Sequence, residues 1–322
     1  MFDAARGRLV ELGYAAGWGA LKALPEGVAA RAFRAAADAA AVRNGAGTRQ
    51  LRKNLRRAVG PGVSELRLDQ LVGEALRSYS RYWLETFRLP AMDHAEVARI
   101  AEEDTHGVEY VDEAMARGKG MVIALPHMGN WDAAAIWLVR HGVPFTTVAE
   151  RLKPEPLFDR FVAYRQSLGM EVLPLTGGER APTDILTERL AAGGAVCLVA
   201  DRDLSHNGIG VQFFGEPTRM PGGPALLGAR TGAAVLPVGL WFTPHGWGQR
   251  IRPPVELPTG GSLRDKVVAG TQQIADAFAV EIAEHPADWH MLQRLWLADL
   301  PPRPGQPPVT PVPVGGDQRG LD

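Results

Sequence analysis

The chain has 322 residues, with 35 Lys plus Arg against 36 Asp plus Glu, so no global basic field argues for nucleic-acid binding and any anion site must be local. Its one cysteine, Cys197, excludes an internal disulfide and a cysteine-rich zinc module, and the apolar run around it suits a small buried side chain in a cytosolic protein. The length fits one large α/β domain, placed at residues 1–300.

In chain order, residues 1–90 read as helical. Leu9, Leu12, Ala16 and Trp18 keep helical spacing in an Ala-, Leu- and Arg-rich stretch, and Asp3 together with the lack of a long apolar core argues against a secretory signal. Trp18, Leu9 and Leu21 with Arg6, Arg8 and Lys22 suit either an interfacial face resting on a membrane or simple core packing. Pro25 and the segment Gly45-Ala46-Gly47 punctuate this region; Lys53, Arg56 and Arg57 add a basic face, and a further helix is expected from Leu66 through Trp83 to Phe87.

Between residues 115 and 300 the pattern changes. Short apolar runs at Met121–Leu125, Pro144–Ala149, Met170–Leu173, Ala195–Ala200 and Ala234–Phe242 alternate with helical segments, which predicts a mostly parallel central sheet flanked by helices. No stretch reaches the roughly 20 uninterrupted apolar residues of a spanning helix. The best candidate, Pro224 to Phe242, contains Arg230 and several glycines, so membrane contact would be peripheral. The Pro- and Gly-rich tail, residues 301–322, reads as disordered.

The most informative segment is Met121-Val-Ile-Ala-Leu-Pro-His127-Met-Gly-Asn-Trp-Asp132, an apolar strand running into a polar turn and a helix. His127 is expected at the C-terminal edge of the sheet, where ligands bind in open α/β folds. Asp132, five residues on, can curl back to fix the tautomer of an imidazole that takes a proton from an alcohol. The spacing equally admits Asp132 as a helix cap and His127 as a strand-end residue bonded to backbone. Neither residue has the close-spaced His or Cys companions of a zinc site, and no Gly-x-Ser-x-Gly elbow offers an acyl-serine route.

His127-Met-Gly-Asn-Trp-Asp132 resembles the His-x4-Asp motif of the lysophospholipid and lipid A acyltransferase superfamily, and its Asn-Trp pair points to the lipid A branch. Ala200-Asp201-Arg202-Asp203, and Val211-Gln-Phe-Phe-Gly215 followed by Pro221-Gly-Gly-Pro-Ala, agree with that branch in order. Val148-Ala-Glu150-Arg151-Leu-Lys-Pro154 and Asp288-Trp289-His290-Met-Leu-Gln293 look like the actinobacterial phosphatidylinositol mannoside acyltransferases, over about residues 5 to 300.

The resemblance implies a peripheral enzyme on the cytoplasmic face of the plasma membrane. It implies acyl-CoA, typically palmitoyl-CoA, as co-substrate without any cofactor, and a mannosylated phosphatidylinositol as acceptor. It also implies a third carboxylate, a glutamate in mycobacterial members, at the position of Asp201. Following a strand, Asp201 should reach the same sheet edge and hydrogen-bond the imidazole or a sugar hydroxyl, unless it pairs with Arg202 or another base. Arg165 and Arg202, and less directly Arg151 and Lys153, are candidates for the phosphates of lipid or coenzyme A, alongside the ordinary reading as solvated surface. The backbone N–H groups of Gly129 and Asn130 are candidates for the oxyanion of the attacked thioester, or else form a simple tight turn. Tyr79, Trp83 and Phe87 read first as packing and second as the lining of an acyl groove; His285 and His290 read as surface or core hydrogen bonding. The alternatives kept open are an acyltransferase for another lysolipid or glycolipid, and a non-catalytic lipid-binding protein.

Overall fold

A computed structural model describes residues 24–151, 155–204 and 207–300. The expected interfacial face around Trp18, Lys153 as a phosphate ligand, and the disordered tail lie outside the described residues.

Helix α1 (Glu26–Arg43) starts directly after Pro25 and ends at Asn44, whose φ of 48° turns the chain before α2 (Ala46–Val59). Helix α3 (Glu65–Arg88) begins at Ser64, whose hydroxyl accepts the Arg67 N–H, so the helix expected from Leu66 to Phe87 is present with one residue added at each end. The three helices share a core of Leu51, Leu55, Leu68, Leu71 and Leu76. The basic face expected here is largely neutralised: Arg56 pairs with Glu65, and Arg57 grips Asp299 at 2.7 Å and Glu216 at 2.9 Å with its guanidinium over Trp296.

After α4 (His94–Glu102), the short strand β1 (Thr105–His106) and α5 (Val108–Ala116), the chain alternates as its apolar runs predict. Strands β2 (Met121–Leu125), β3 (Phe145–Ala149), β4 (Glu171–Pro174), β5 (Ala195–Val199) and β8 (Ala234–Phe242) lie at the expected places, give or take a residue. Between them run α6 (Trp131–Arg140), α7 (Glu155–Ser167), α8 (Pro182–Ala191) and α9 (Gly223–Thr231); β9 (Trp247–Ile251) and α10 (Leu263–Glu284) follow. The seven-stranded sheet has the order β1-β9-β8-β2-β5-β3-β4, parallel throughout except where β9 returns against β8. Helices cover both faces, which is why β2 is buried at every position and reads as a continuous apolar run.

A separate hairpin, β6 (Ile209–Phe213) with β7 (Glu216–Met220), was not foreseen. Its two-residue turn puts Phe214 at φ 50° and Gly215 at φ 77°, the conformation that matches the right-handed twist of paired strands. Among the described residues no helix is long and apolar enough to cross a membrane. Because β2, β5 and β3 are parallel and adjacent, the segments that leave them carry His127, Asp201 and Glu150 from one edge of the sheet.

Candidate active site

His127 leaves β2 two residues after its last strand position, and Asp201 leaves β5 at the equivalent point of the neighbouring strand. The Asp201 carboxylate accepts the His127 backbone N–H at 2.9 Å on one oxygen and lies 2.5 Å from His127 Nδ1 with the other. The indole N–H of Trp289 donates to the first oxygen at 3.0 Å. Asp201 is fully buried. Burial alone would push its carboxyl up, but the neighbouring His127 charge and the hydrogen bonds from His127 and Trp289 outweigh it and hold the group below the usual carboxylate range. An ionised Asp201 holds a proton on Nδ1, so the ring is oriented through that nitrogen and Nε2 is the one left to meet a substrate, on a ring whose side chain is 34% exposed.

Asp132 is not the carboxylate that orients the imidazole. It too is fully buried, but it faces the helices: Arg165 Nε lies 3.3 Å from one oxygen and the Tyr82 hydroxyl 3.4 Å from the other. Nor is it the helix cap. Asn130 takes that role, its Oδ1 accepting the N–H groups of Asp132 and Ala133 at 3.1 Å each. With the cap filled from Asn130, the side chain two positions on turns inward between α3, α6 and α7. Burial, then the Asp132 charge, push the hydroxyls of Tyr82 and Tyr164 well above their usual range, so both stay protonated beside it.

The turn carrying the imidazole is clamped from two sides. The C-terminal segment pairs with it antiparallel at Met128 and Trp289: His290 N–H donates to the His127 carbonyl at 2.8 Å and Gly129 N–H to the Asp288 carbonyl at 2.9 Å. Gly129 is therefore not available to a thioester oxyanion. It is glycine because φ is 56° and a Cβ would stand 2.7 Å from the Leu240 backbone. On the other side, Glu85 of α3 accepts Asn130 Nδ2 at 2.6 Å and the Trp247 indole N–H at 2.7 Å. These bonds engage the side chain of Asn130; its backbone N–H, the other oxyanion candidate, is not the group they use.

A cleft of about 220 Å³ opens over His127, walled by Tyr79, Tyr82, Trp83, Trp131, Phe158 and Phe161 and edged by Glu150, Arg165, Arg202 and His290. The structure brings Arg165 and Arg202 to this cleft. Arg165 has Asp132 as counter-ion, whereas half-buried Arg202 has no ion pair among the described residues. Arg151 does not join them; it grips Glu155 and the carbonyls of Thr176 and Gly177. Behind Trp131 and Arg165, which line both spaces, an apolar cavity of about 70 Å³ lies between the sheet and α6, bounded by Leu125, Ile123, Cys197, Phe145 and Met170.

Residues 5–298 match the family described as bacterial lipid A biosynthesis acyltransferase. The chain belongs to that family. It is 53% identical over 295 residues, 91% of its length and 93% of the relative's, to the phosphatidylinositol mannoside acyltransferase of Mycolicibacterium smegmatis. It is 54% identical over 288 residues, 89% of its length and 88% of the relative's, to the protein of the same name from Mycobacterium tuberculosis strain H37Rv.

Sequence reasoning on this acyltransferase missed the supporting residues. Glu85 and Tyr82 lie in an amphipathic helix where nothing separates them from ordinary core or surface positions. Trp289 and His290 were visible as part of a resemblance but carried no role. His290 is a buried hydrogen-bonding residue as expected, and it also forms part of the cleft. Ser78 Oγ donates to Asp288 at 2.6 Å and stands 2.9 Å from His290 Nε2, so the single hydroxyl proton is used and Nε2 must donate. Burial, then the His127 charge, lower the His290 imidazole to about 3, keeping it neutral. Tyr79 and Trp83 line the cleft, while Phe87 packs behind Trp83.

Proposed function

We propose that this protein transfers a fatty acyl chain, with palmitoyl as the expected one, from acyl-CoA to a mannose hydroxyl of a phosphatidylinositol mannoside. The observation that carries the reading is the His127–Asp201 pair, in which Asp201 engages Nδ1 and leaves Nε2 free of that contact at an aromatic cleft. Nε2 takes the proton of the acceptor hydroxyl as its oxygen attacks the thioester carbonyl carbon. The C–S bond then breaks, and the departing thiolate recovers that proton from the imidazolium, giving ester and free CoA. Asp201 supports the transient positive charge. The apolar cavity behind Trp131, about 70 Å³, supports a place for the first few methylenes of the acyl chain beside the thioester, and Arg202 supplies a positive charge for a substrate phosphate. No cofactor enters this scheme.

The names of the two relatives support the mannosylated acceptor. A membrane-surface location, at the cytoplasmic face in this reading, is supported by exposed Arg31 and Arg34 on a cleft of about 420 Å³ between α1 and α3, where they suit anionic headgroups; Arg77 and Arg81 on the same cleft are paired with Asp38 and Glu85.

The test is thiol release from palmitoyl-CoA with and without mannosylated phosphatidylinositol, with mass spectrometry of the lipid. Acceptor-dependent release with one added palmitoyl group is expected, and His127→Ala should lower it by about 10²–10⁴-fold without unfolding the protein. Release only with another lysolipid or glycolipid would move the acceptor assignment there. Full turnover by His127→Ala would overturn the mechanism.

A further inference from the structure

The attack described above turns the thioester carbonyl into an oxyanion, and that oxyanion needs a donor. The donors around His127 are mostly committed: Gly129 N–H to Asp288, Asn130 Nδ2 to Glu85, and the indole N–H groups of Trp289 and Trp247 to Asp201 and Glu85. The indole N–H of Trp131 is not. Among the described residues, two buried polar side-chain atoms without a partner belong to residues that line the cleft: Trp131 Nε1 and His290 Nδ1. With His290 Nε2 donating to Ser78, Nδ1 is an acceptor, so Trp131 offers the only donor of the pair.

A buried N–H left unpaired costs free energy, and native folds seldom leave one without a use. Trp131 is the first residue of α6 and is held in place: its ring packs 4.2 Å from Tyr82 and presents an edge-on contact 6.0 Å from the His127 ring. With Arg165 it also lines both the cleft and the inner apolar cavity. A thioester whose first methylenes enter that cavity and whose carbonyl meets Nε2 passes between the two spaces at Trp131 and Arg165, the residues common to both.

We propose that Trp131 is a catalytic residue whose indole N–H donates to the thioester oxygen as it becomes an oxyanion. The assignment rests on the acyl-CoA reading given above. In the step, the acceptor oxygen bonds to the carbonyl carbon, its proton moves to His127 Nε2, and the π pair of the carbonyl goes to the oxygen facing Trp131. The pair returns when the C–S bond breaks and the thiolate takes the proton.

The experiment replaces Trp131 by 3-benzothienylalanine, which keeps the bicyclic shape and lacks the N–H, and in parallel by Phe. Turnover is read together with affinity for two CoA analogues, a ketone that keeps the carbonyl and a thioether that lacks it. We expect kcat to fall by about 10²–10³-fold, with ketone affinity reduced and thioether affinity held within about twofold. Turnover near wild type in the benzothienyl variant overturns the proposal, as does an equal loss of affinity for both analogues, which would make the ring a packing element. Wild-type protein that binds neither analogue overturns the acyl-CoA reading itself and the assignment with it. Wild-type protein that binds both while the variant discriminates supports the assignment, whichever acceptor is finally used.

Discussion

Two fully buried carboxylates lie close to His127 in the chain or in space, and they do opposite work. Asp201 sits at the sheet edge, where parallel strands deliver it and the imidazole side by side, and its neighbours are all hydrogen-bond donors to it. Asp132 sits in the helical layer, five residues from His127 in sequence, and is matched by the Arg165 guanidinium and two phenols. Sequence proximity favoured Asp132 as the orienting group; strand adjacency delivered Asp201 instead. The lesson is that a tautomer-fixing partner is chosen by the register of neighbouring strands, which brings residues 74 positions apart into contact.

The sharpest way to break this comparison is to neutralise each carboxylate in turn. Asp201→Asn should lower kcat by about 10²–10⁴-fold while the protein stays folded, because an amide neither forces the proton onto Nδ1 nor supports the imidazolium. Acyl transfer assays beside circular dichroism check this. Asp132→Asn should act mainly on stability, with a loss of up to about 3 kcal/mol in denaturant melts from leaving the largely buried Arg165 without its counter-ion. Its turnover per folded molecule should fall less than that of Asp201→Asn; the reverse ranking would reassign the two roles.

A subtler contrast lies in pH. His290 ionises near 6.5 when unfolded but only at about 3 in the fold, so below neutrality the unfolded state binds the extra proton. Stability should therefore fall as pH drops from about 6.5 towards 3, by up to about 1.4 kcal/mol per unit from this residue. His290→Gln should remove that contribution in urea melts run across the same range. The smallest effect is expected at Arg151, which lies outside the cleft on a surface pair with Glu155. Arg151→Ala should leave KM for acyl-CoA within about twofold and change stability by no more than about 1 kcal/mol.

Much of the fold is legible in the amino-acid sequence. The five apolar runs from Met121 to Phe242 are strands because a parallel sheet buried on both faces needs such runs, and α3 is bounded within a residue by its cap and its periodicity. The β6–β7 hairpin escaped because its strands alternate in burial over only five residues each and its turn carries Phe214 in a conformation that favours glycine or asparagine. That the Gly129 N–H is taken was not legible, because a free-looking N–H in a tight turn gives no sign of a distant carbonyl, here that of Asp288, waiting to accept it.

The order of residues along the chain was enough for the α/β class, the placement of His127 at a sheet edge, and the membership that its motifs announced. These depend on local periodicity and short-range spacing, which a single chain displays directly. Folding in three dimensions alone made Asp201 the partner of the imidazole and Asp132 that of Arg165, brought residues 288–290 in to clamp the catalytic turn, and left the indole N–H of Trp131 without a partner among the described residues. Each of these is a pairing across long sequence separation or an absence of pairing. Hydrogen bonds are directional and short, so such a bond exists only where packing brings two groups within about 3 Å, and no property of either residue alone reveals it.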